Sequence, residues 1–144
     1  KSNIDKSCGC VQKGGSAPIM DVIDYGEPVT TKGLNMLYGP GNDLVSATAL
    51  TAAGAHMVLF STGRGTPFGA PAPTLKIATN SQLAVRKKTW IDFNAGVVAD
   101  GERTLDEAGA DLYRLVLDVA SGKQTCAEKK GFREISIFKD GVVL

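Results

Sequence analysis

Polar residues dominate positions 1–17, and Gly14, Gly15 and Ser16 close a stretch that reads as a connecting arm. Apolar positions then recur in short blocks. Residues 18–25 (PIMDVIDY) alternate and predict a short strand. Gly26, Pro28, Thr30, Thr31 and Gly33 mark a loop. Residues 34–38 (LNMLY) predict a buried strand, stopped by Gly39-Pro40-Gly41. The small apolar side chains of 44–53 (LVSATALTAA) suit a helix packed closely on a sheet. Asn42 or Asp43 is placed to cap the free N–H groups of its first turn, and Gly54 to end it. The continuous run 55–60 (AHMVLF) has the pattern of a strand buried on both faces, as in a parallel sheet.

The next segment, 61–73 (STGRGTPFGAPAP), holds three glycines and three prolines and is long for a connection without a helix. Loops of this kind in compact domains often carry function. Residues 74–79 (TLKIAT) resume as a strand, Asn80-Ser81 cap a short helix through Arg86, and 90–94 (WIDFN) form another strand ended by Ala95-Gly96. The longest helix spans 104–120: Thr104 and Glu107 match a capping box, and Leu105, Ala108, Leu112, Leu115, Val116 and Val119 share one face. Ser121-Gly122 end it, 123–131 form a short helix or loop, 134–138 (EISIF) a last strand, and Gly141 begins a tail. Strands alternating with helices predict a Rossmann-like three-layer α/β domain with a mostly parallel sheet of about five strands. It occupies 18–144 as a single unit behind the arm 1–17. Ligands of such sheets collect at the loops leaving the carboxyl ends of strands. Here those are the loops after Tyr38, Phe60, Thr79 and Asn94.

Composition supports this picture and removes several function classes. A chain of 144 residues, 43% hydrophobic and 22% charged, suits one domain with an ordinary core. Sixteen basic and fifteen acidic residues give a net charge of +1, with no basic stripe for nucleic acid. No apolar run approaches the ~20 residues needed to cross a bilayer. No signal peptide is visible, and a cytoplasmic location is expected. The polar start at Lys1, without Met, suggests a piece of something longer. Cys8, Cys10 and Cys126 are too few for a disulfide framework, and without a second pair they make no metal site, so they read as free thiols. Arg86-Lys87-Lys88 reads as a solvated loop or helix end in preference to an anion site.

The candidate chemistry sits mostly in the strand-end loops. Gly63-Arg64-Gly65-Thr66 directly follows a buried strand. Its glycines let backbone N–H groups approach an anion, Arg64 offers a planar fork for a carboxylate or phosphate, and Thr66 adds a hydroxyl. A Gly/Pro turn whose arginine makes a structural ion pair explains the same residues. The lysine-hydroxyl ending of a P-loop is absent, and no dinucleotide fingerprint follows the first strand. Gly39-Pro40-Gly41-Asn42-Asp43 precedes a helix, where an anion can sit or where Asn42 simply caps. Lys76 stands on an otherwise apolar strand, either at a sheet edge or turned toward a cleft. Asp92 and Asn94 face one side of their strand, lining a polar site or a solvated face. His56, the only histidine, reads as structural. It leaves no metal cluster and no catalytic triad.

The blocks GPGND (39–43), STGRGTPFG (61–69), PTLKIATN (73–80), WIDFNAG (90–96) and LDVASGK (117–123) carry a resemblance. Their order and spacing resemble the C-terminal part of the altronate and galactarate dehydratase family, over about Val11 to Glu128, and TPFG and DVASGK look closer to the altronate branch. The resemblance implies a hydro-lyase that removes water from a 2,3-dihydroxy sugar acid, D-altronate, to give a 2-keto-3-deoxy acid, with Fe²⁺ or Mn²⁺ as cofactor. Such an elimination needs a base at C2, an acid at the leaving hydroxyl, and positive charge on the enediolate-like intermediate. On this basis Arg64 with Gly63, Gly65 and Thr66 is expected to bind the carboxylate or hydroxyls. Asn42, Asp43, Asn80, Asp92 and Asn94 are expected to contact hydroxyls or support the site, and Lys76 is the one candidate base.

The family carries a small N-terminal domain and a central Cys- and His-rich region ahead of this part. Those domains are the expected partners and the expected source of metal ligands, acid and base, so the chain alone is expected to be inactive. A homo-oligomer stays open. Two alternatives remain: galactarate or another sugar acid as substrate, and a non-catalytic binding or assembly module. Convergence of Arg64 and Asn42 on one cleft would favour a site, and a buried Arg64 ion pair would favour the module.

Overall fold

The chain folds around short parallel strands of two to five residues. The structure, a computed structural model, describes Ile4, Cys8 and residues 12–137. Cys10 and the residues from Phe138 onward, the end of the expected last strand included, lie outside the described residues. In chain order the elements are β1 (Ile19–Ile23), β2 (Leu34–Leu37), α1 (Asp43–Ala52), β3 (Val58–Thr62) and β4 (Thr74–Ala78). There follow α2 (Ser81–Arg86), β5 (Phe93–Asn94), α3 (Gly96–Ala99), α4 (Leu105–Ala120) and α5 (Cys126–Lys129).

The five strands are all parallel, as expected, but they divide into two sheets. β1 pairs with β2, with Val22 opposite Met36, while β3-β4-β5 form a second sheet with β4 at its centre. The domain is α/β and Rossmann-like in kind: α1 packs on β3, α2 on β4 and β5, and α5 on β4. Two small apolar clusters anchor it. Ala47, Val58 and Ala70 pack with Phe60 and Phe68, whose rings meet edge to face at 5.1 Å. Ala78, Leu83 and Ile91 pack under α2. Leu75 on β4 is fully buried.

Local chemistry sets the helix starts. Asn42 accepts from the backbone N–H groups of Leu44 and Val45 at 3.1 and 3.3 Å, Asn80 accepts from Leu83, and Thr104 and Glu107 form the expected capping box. Thr125 and Glu128 form a second capping box, at the start of α5.

Three expectations are corrected. β5 is two residues long, because the Trp90 and Ile91 N–H groups both donate to the Lys87 carbonyl and close a turn in place of ladder bonds. Residues Glu134–Ile137 form no strand. The Glu134 N–H donates to Gly69 O, its carboxylate accepts from Gly69 N–H at 2.8 Å, and Ser136 N–H donates to the Thr48 hydroxyl. This stretch is a strap across a loop and α1, not a ladder partner. The apolar stripe of α4 is only partly covered: Ala108 and Val119 are buried, whereas Leu105 is 74% exposed.

Candidate functional site

The loop after β3 is shaped by bonds at successive residues. The Thr62 hydroxyl accepts from the backbone N–H groups of Arg64 and Gly65, the latter at 2.9 Å. The Gly63 carbonyl accepts from the Asn80 amide at 3.1 Å. Gly65 takes φ +82°, a left-handed conformation that favours glycine. A Cβ there would stand 3.1 Å from Leu83 and 3.8 Å from Trp90, so the loop lies directly on α2 and the turn after it. The Thr66 carbonyl accepts from the Lys76 ammonium. Amid these ties the Arg64 side chain is exposed, and no hydrogen bond or ion pair is made by its guanidinium among the described residues. The fork is displayed, and its backbone is held.

Beside it lies a cavity of about 230 Å³, lined by Gly63, Arg64, Asn80, Gln82, Leu83, Arg86 and Lys87. It opens at the carboxyl ends of β3 and β4, where ligands of parallel sheets collect. Among the described residues, three of its lining side chains are cationic and none is acidic. The structure thus brings Gly63, Arg64 and Asn80 together, with Gly65 and Thr66 forming the rest of the same loop.

The other expected residues are placed differently. Asn42 and Asp43 stand at the start of α1, after β2 of the other sheet, and neither lines this cavity. The Asp92 carboxylate accepts from Lys76 N–H at 2.8 Å and from Cys126 N–H at 2.7 Å, which ties β4 to the start of α5. Asn94 donates to the Ser81 hydroxyl and accepts from Gly96 N–H. Both side chains are engaged inside the fold, beneath the loops and not in the cavity.

Lys76 is the largest fully buried side chain, 1% exposed on the central strand, so it stands neither at an edge nor in an open cleft. Its ammonium lies 5.5 Å from the centre of the Phe68 ring and has no carboxylate within 4.0 Å among the described residues. Burial pushes its pKa below 10.5, against the opposing pull of Asp92 and Glu134. Between the lowered value and 10.5 the unfolded chain binds the extra proton, so stability rises with pH through that window. Lys76→Met is expected to flatten this rise. Urea unfolding at several pH values between 8 and about 10.5 measures it, and parallel native and variant curves would refute it.

No group of three or more His, Cys, Asp or Glu side chains is arranged to hold a metal ion among the described residues. Asp92 and Cys126, which adjoin one another, are both engaged within the fold. Asp92 caps backbone N–H groups, and the Cys126 thiol donates to the Ile91 carbonyl, its pKa raised first by burial and then by Asp92.

Arg86 and Lys87 were not foreseen here. The helix that carries them was predicted, but only the folded chain turns its end toward the glycine loop.

The sequence profile of a family described as D-galactarate/altronate dehydratase, C-terminal, matches residues 2–143. An altronate dehydratase of Escherichia coli (strain K12) is 54% identical over 140 residues, which covers 97% of this chain and 28% of that protein. An altronate dehydratase of Bacillus subtilis (strain 168) is 50% identical over 140 residues, with the same coverage. A galactarate dehydratase (L-threo-forming) of Escherichia coli (strain K12) is 38% identical over 143 residues, 97% of this chain and 27% of that protein. The chain therefore spans just over a quarter of the length of these curated relatives.

Proposed function

The chain belongs to the D-galactarate/altronate dehydratase family as its C-terminal domain, and on that premise we propose that it supplies the carboxylate-binding wall of a sugar-acid hydro-lyase acting on D-altronate. The observation that carries this reading is Arg64: among the described residues its guanidinium has no partner, its loop is held through the backbone on both sides, and the cavity beside it is lined by no acid.

The reaction explains why such a group is wanted. A base removes the C2 proton of the 2,3-dihydroxy acid, and the electron pair moves into the carboxylate. The C2=C3 double bond then forms as the C3 hydroxyl leaves, taking a proton to become water. The resulting enol picks up a proton at C3 and gives 2-dehydro-3-deoxy-D-gluconate. Negative charge is greatest on the carboxylate oxygens after the first step. A guanidinium fork there binds the intermediate more tightly than the substrate, which is what accelerates a reaction. In this reading Gly63 and Gly65 shape the loop, the Gly65 N–H being taken up by Thr62, and Thr66 offers its hydroxyl to the substrate. Asn80 holds the loop to α2, and Asp92 and Asn94 support the site from below. Asn42 and Asp43 reach substrate only if it extends toward α1. Lys76 is the one basic side chain of the set whose burial favours the neutral amine, so it stands as the candidate base; it does not line the cavity, and to act it must leave the Thr66 carbonyl and reach past the loop to the substrate.

Fe²⁺ or Mn²⁺, which the family is expected to use, would be held by groups outside the described residues. The partners proposed are the preceding domains of the same enzyme and a second copy of it, in the cytoplasm. Val22, Met36 and Tyr38, on one face of the β1–β2 sheet and 72%, 44% and 71% exposed, offer apolar surface for such contacts.

Altronate is preferred over galactarate because the chain is 54% and 50% identical to the altronate enzymes against 38% for the galactarate enzyme. The intact enzyme carrying this chain, given Fe²⁺ or Mn²⁺, is expected to turn over D-altronate at least about tenfold more efficiently than galactarate, in line with what a few polar contacts discriminate. Formation of 2-keto-3-deoxy acid measures this. Equal or reversed preference overturns the branch, and no turnover of either acid overturns the function.

A further inference from the structure

We propose that Arg86 and Lys87, at the end of α2, complete the carboxylate pocket with Arg64, so that the substrate anion is held in a three-cation cavity. This rests on the reading of Arg64 as the carboxylate ligand and adds residues to it.

The ordinary account of two cations at a helix end is that they are solvated and mildly favoured by the helix dipole. That account leaves two observations unexplained. The first is convergence. Arg64, Arg86 and Lys87 come from two separate segments and line one cavity of about 230 Å³, with Gln82 and Asn80 as its polar neighbours. Like charges gathered in a concave site repel one another, and a structural role would supply a counter-ion. No carboxylate lines the cavity, and neither arginine nor Lys87 makes an ion pair within 4.0 Å among the described residues. An anionic ligand supplies the missing charge.

The second is that the wall is built. The Lys87 ammonium sits 4.0 Å from the centre of the Trp90 ring, which holds the stem of the side chain in place. Gly65 packs where a Cβ would stand 3.9 Å from the Lys87 stem, 3.8 Å from Trp90 and 3.1 Å from Leu83. The Trp90 N–H in turn donates to the Lys87 carbonyl at 2.8 Å. The loop that displays Arg64 and the turn that displays Lys87 thus form one packed surface. Lys88 follows immediately and does not line the cavity, so it is the internal control.

The division of labour follows from geometry. Arg64 is placed for the directional fork, and Arg86 and Lys87 contribute field. A group that acts by field on a charge present in substrate and transition state alike alters binding more than turnover.

The test is steady-state kinetics of the intact enzyme on D-altronate for Arg86→Gln, Lys87→Gln and Lys88→Gln, at two ionic strengths. Arg86→Gln and Lys87→Gln are expected to raise KM about tenfold each, with kcat within about threefold of native. Their KM is expected to depend less on salt than the native value. Lys88→Gln is expected to match native. A Lys87→Arg variant, which keeps both the charge and the contact with Trp90, is expected to recover most of the loss, which separates charge from packing. Native KM and native salt dependence in Arg86→Gln and Lys87→Gln overturn the three-cation pocket. Loss of activity in Arg64→Ala in that case leaves the Arg64 reading standing, whereas native activity in Arg64→Ala removes both.

Discussion

Replacing Arg64 by alanine is expected to lower kcat/KM for the sugar acid by about 10³-fold, with both kcat and KM affected, while leaving the fold unchanged. The size comes from removing a charge-assisted, two-point contact to a carboxylate, a loss of about 4 kcal/mol. The kcat part arises because the carboxylate gains charge as the C2 proton leaves. The intact fold follows from what Arg64 does in the structure: its guanidinium makes no bond among the described residues, and only its backbone N–H is engaged, by Thr62. Arg64→Lys keeps the charge but not the fork, and is expected to restore a minor part of the activity. Circular dichroism and thermal melting alongside kinetics check both halves. Activity within a few-fold of native would remove the carboxylate clamp and favour a domain that only assembles the enzyme.

The second large effect is on stability. Gly96 opens α3 where that helix meets the start of α2. A Cβ at this position would stand 2.2 Å from Ser81 N and 2.4 Å from Asn80 C. Both are backbone atoms, so the clash is not relieved by a rotamer change. Gly96→Ala is therefore expected to cost about 3 kcal/mol and to lower Tm by about 10 °C. The strain also falls on function. Asn80 caps α2 through Leu83 N–H and holds the Gly63 carbonyl, so pushing its backbone away loosens the loop that displays Arg64. Gly109 provides the contrast, since a Cβ there meets nothing within 4 Å on the exposed side of α4. Gly109→Ala is expected to be neutral or to stabilise by about 0.5–1 kcal/mol. Urea unfolding of the two variants measures the difference, and equal effects would contradict the close approach at Gly96.

What could be read from the sequence was local. Asn42, Asn80 and the Thr104–Glu107 pair announce their helices because a cap acts within four residues of itself. The apolar run 55–60 and the segment 74–79 marked β3 and β4, but β3 begins at Val58 and is not buried on both faces: it lies at the edge of its sheet, and Leu59 is 52% exposed. The Gly63–Thr66 loop stood out as either an anion loop or a Gly/Pro turn with a structural ion pair, and the exposed Arg64 side chain, without an ion pair among the described residues, favours the first. What failed was set by distant partners. Nothing near 134–137 reveals that Glu134 clasps Gly69 or that Ser136 reaches Thr48, so an alternating stretch passed for a strand. The division of five strands into two sheets is likewise a matter of long-range pairing. Asp92 and Asn94 do share a side of their segment, and their bonds to α5 and α2 are long-range as well. Lys76 was legible as unusual and not as a support of the Thr66 carbonyl, ten residues earlier in the chain. Arg86 and Lys87 passed for a solvated helix end, since only the folded chain sets them opposite Arg64.

The most direct test of the account is a structure of the intact enzyme with a 3-deoxy analogue of the substrate, which keeps the carboxylate and the C2 hydroxyl but has no group to eliminate. The account predicts the analogue's carboxylate within about 3.2 Å of the Arg64 guanidinium, in the cavity shared with Arg86 and Lys87. A carboxylate held by other residues, with Arg64 still facing solvent, would contradict it.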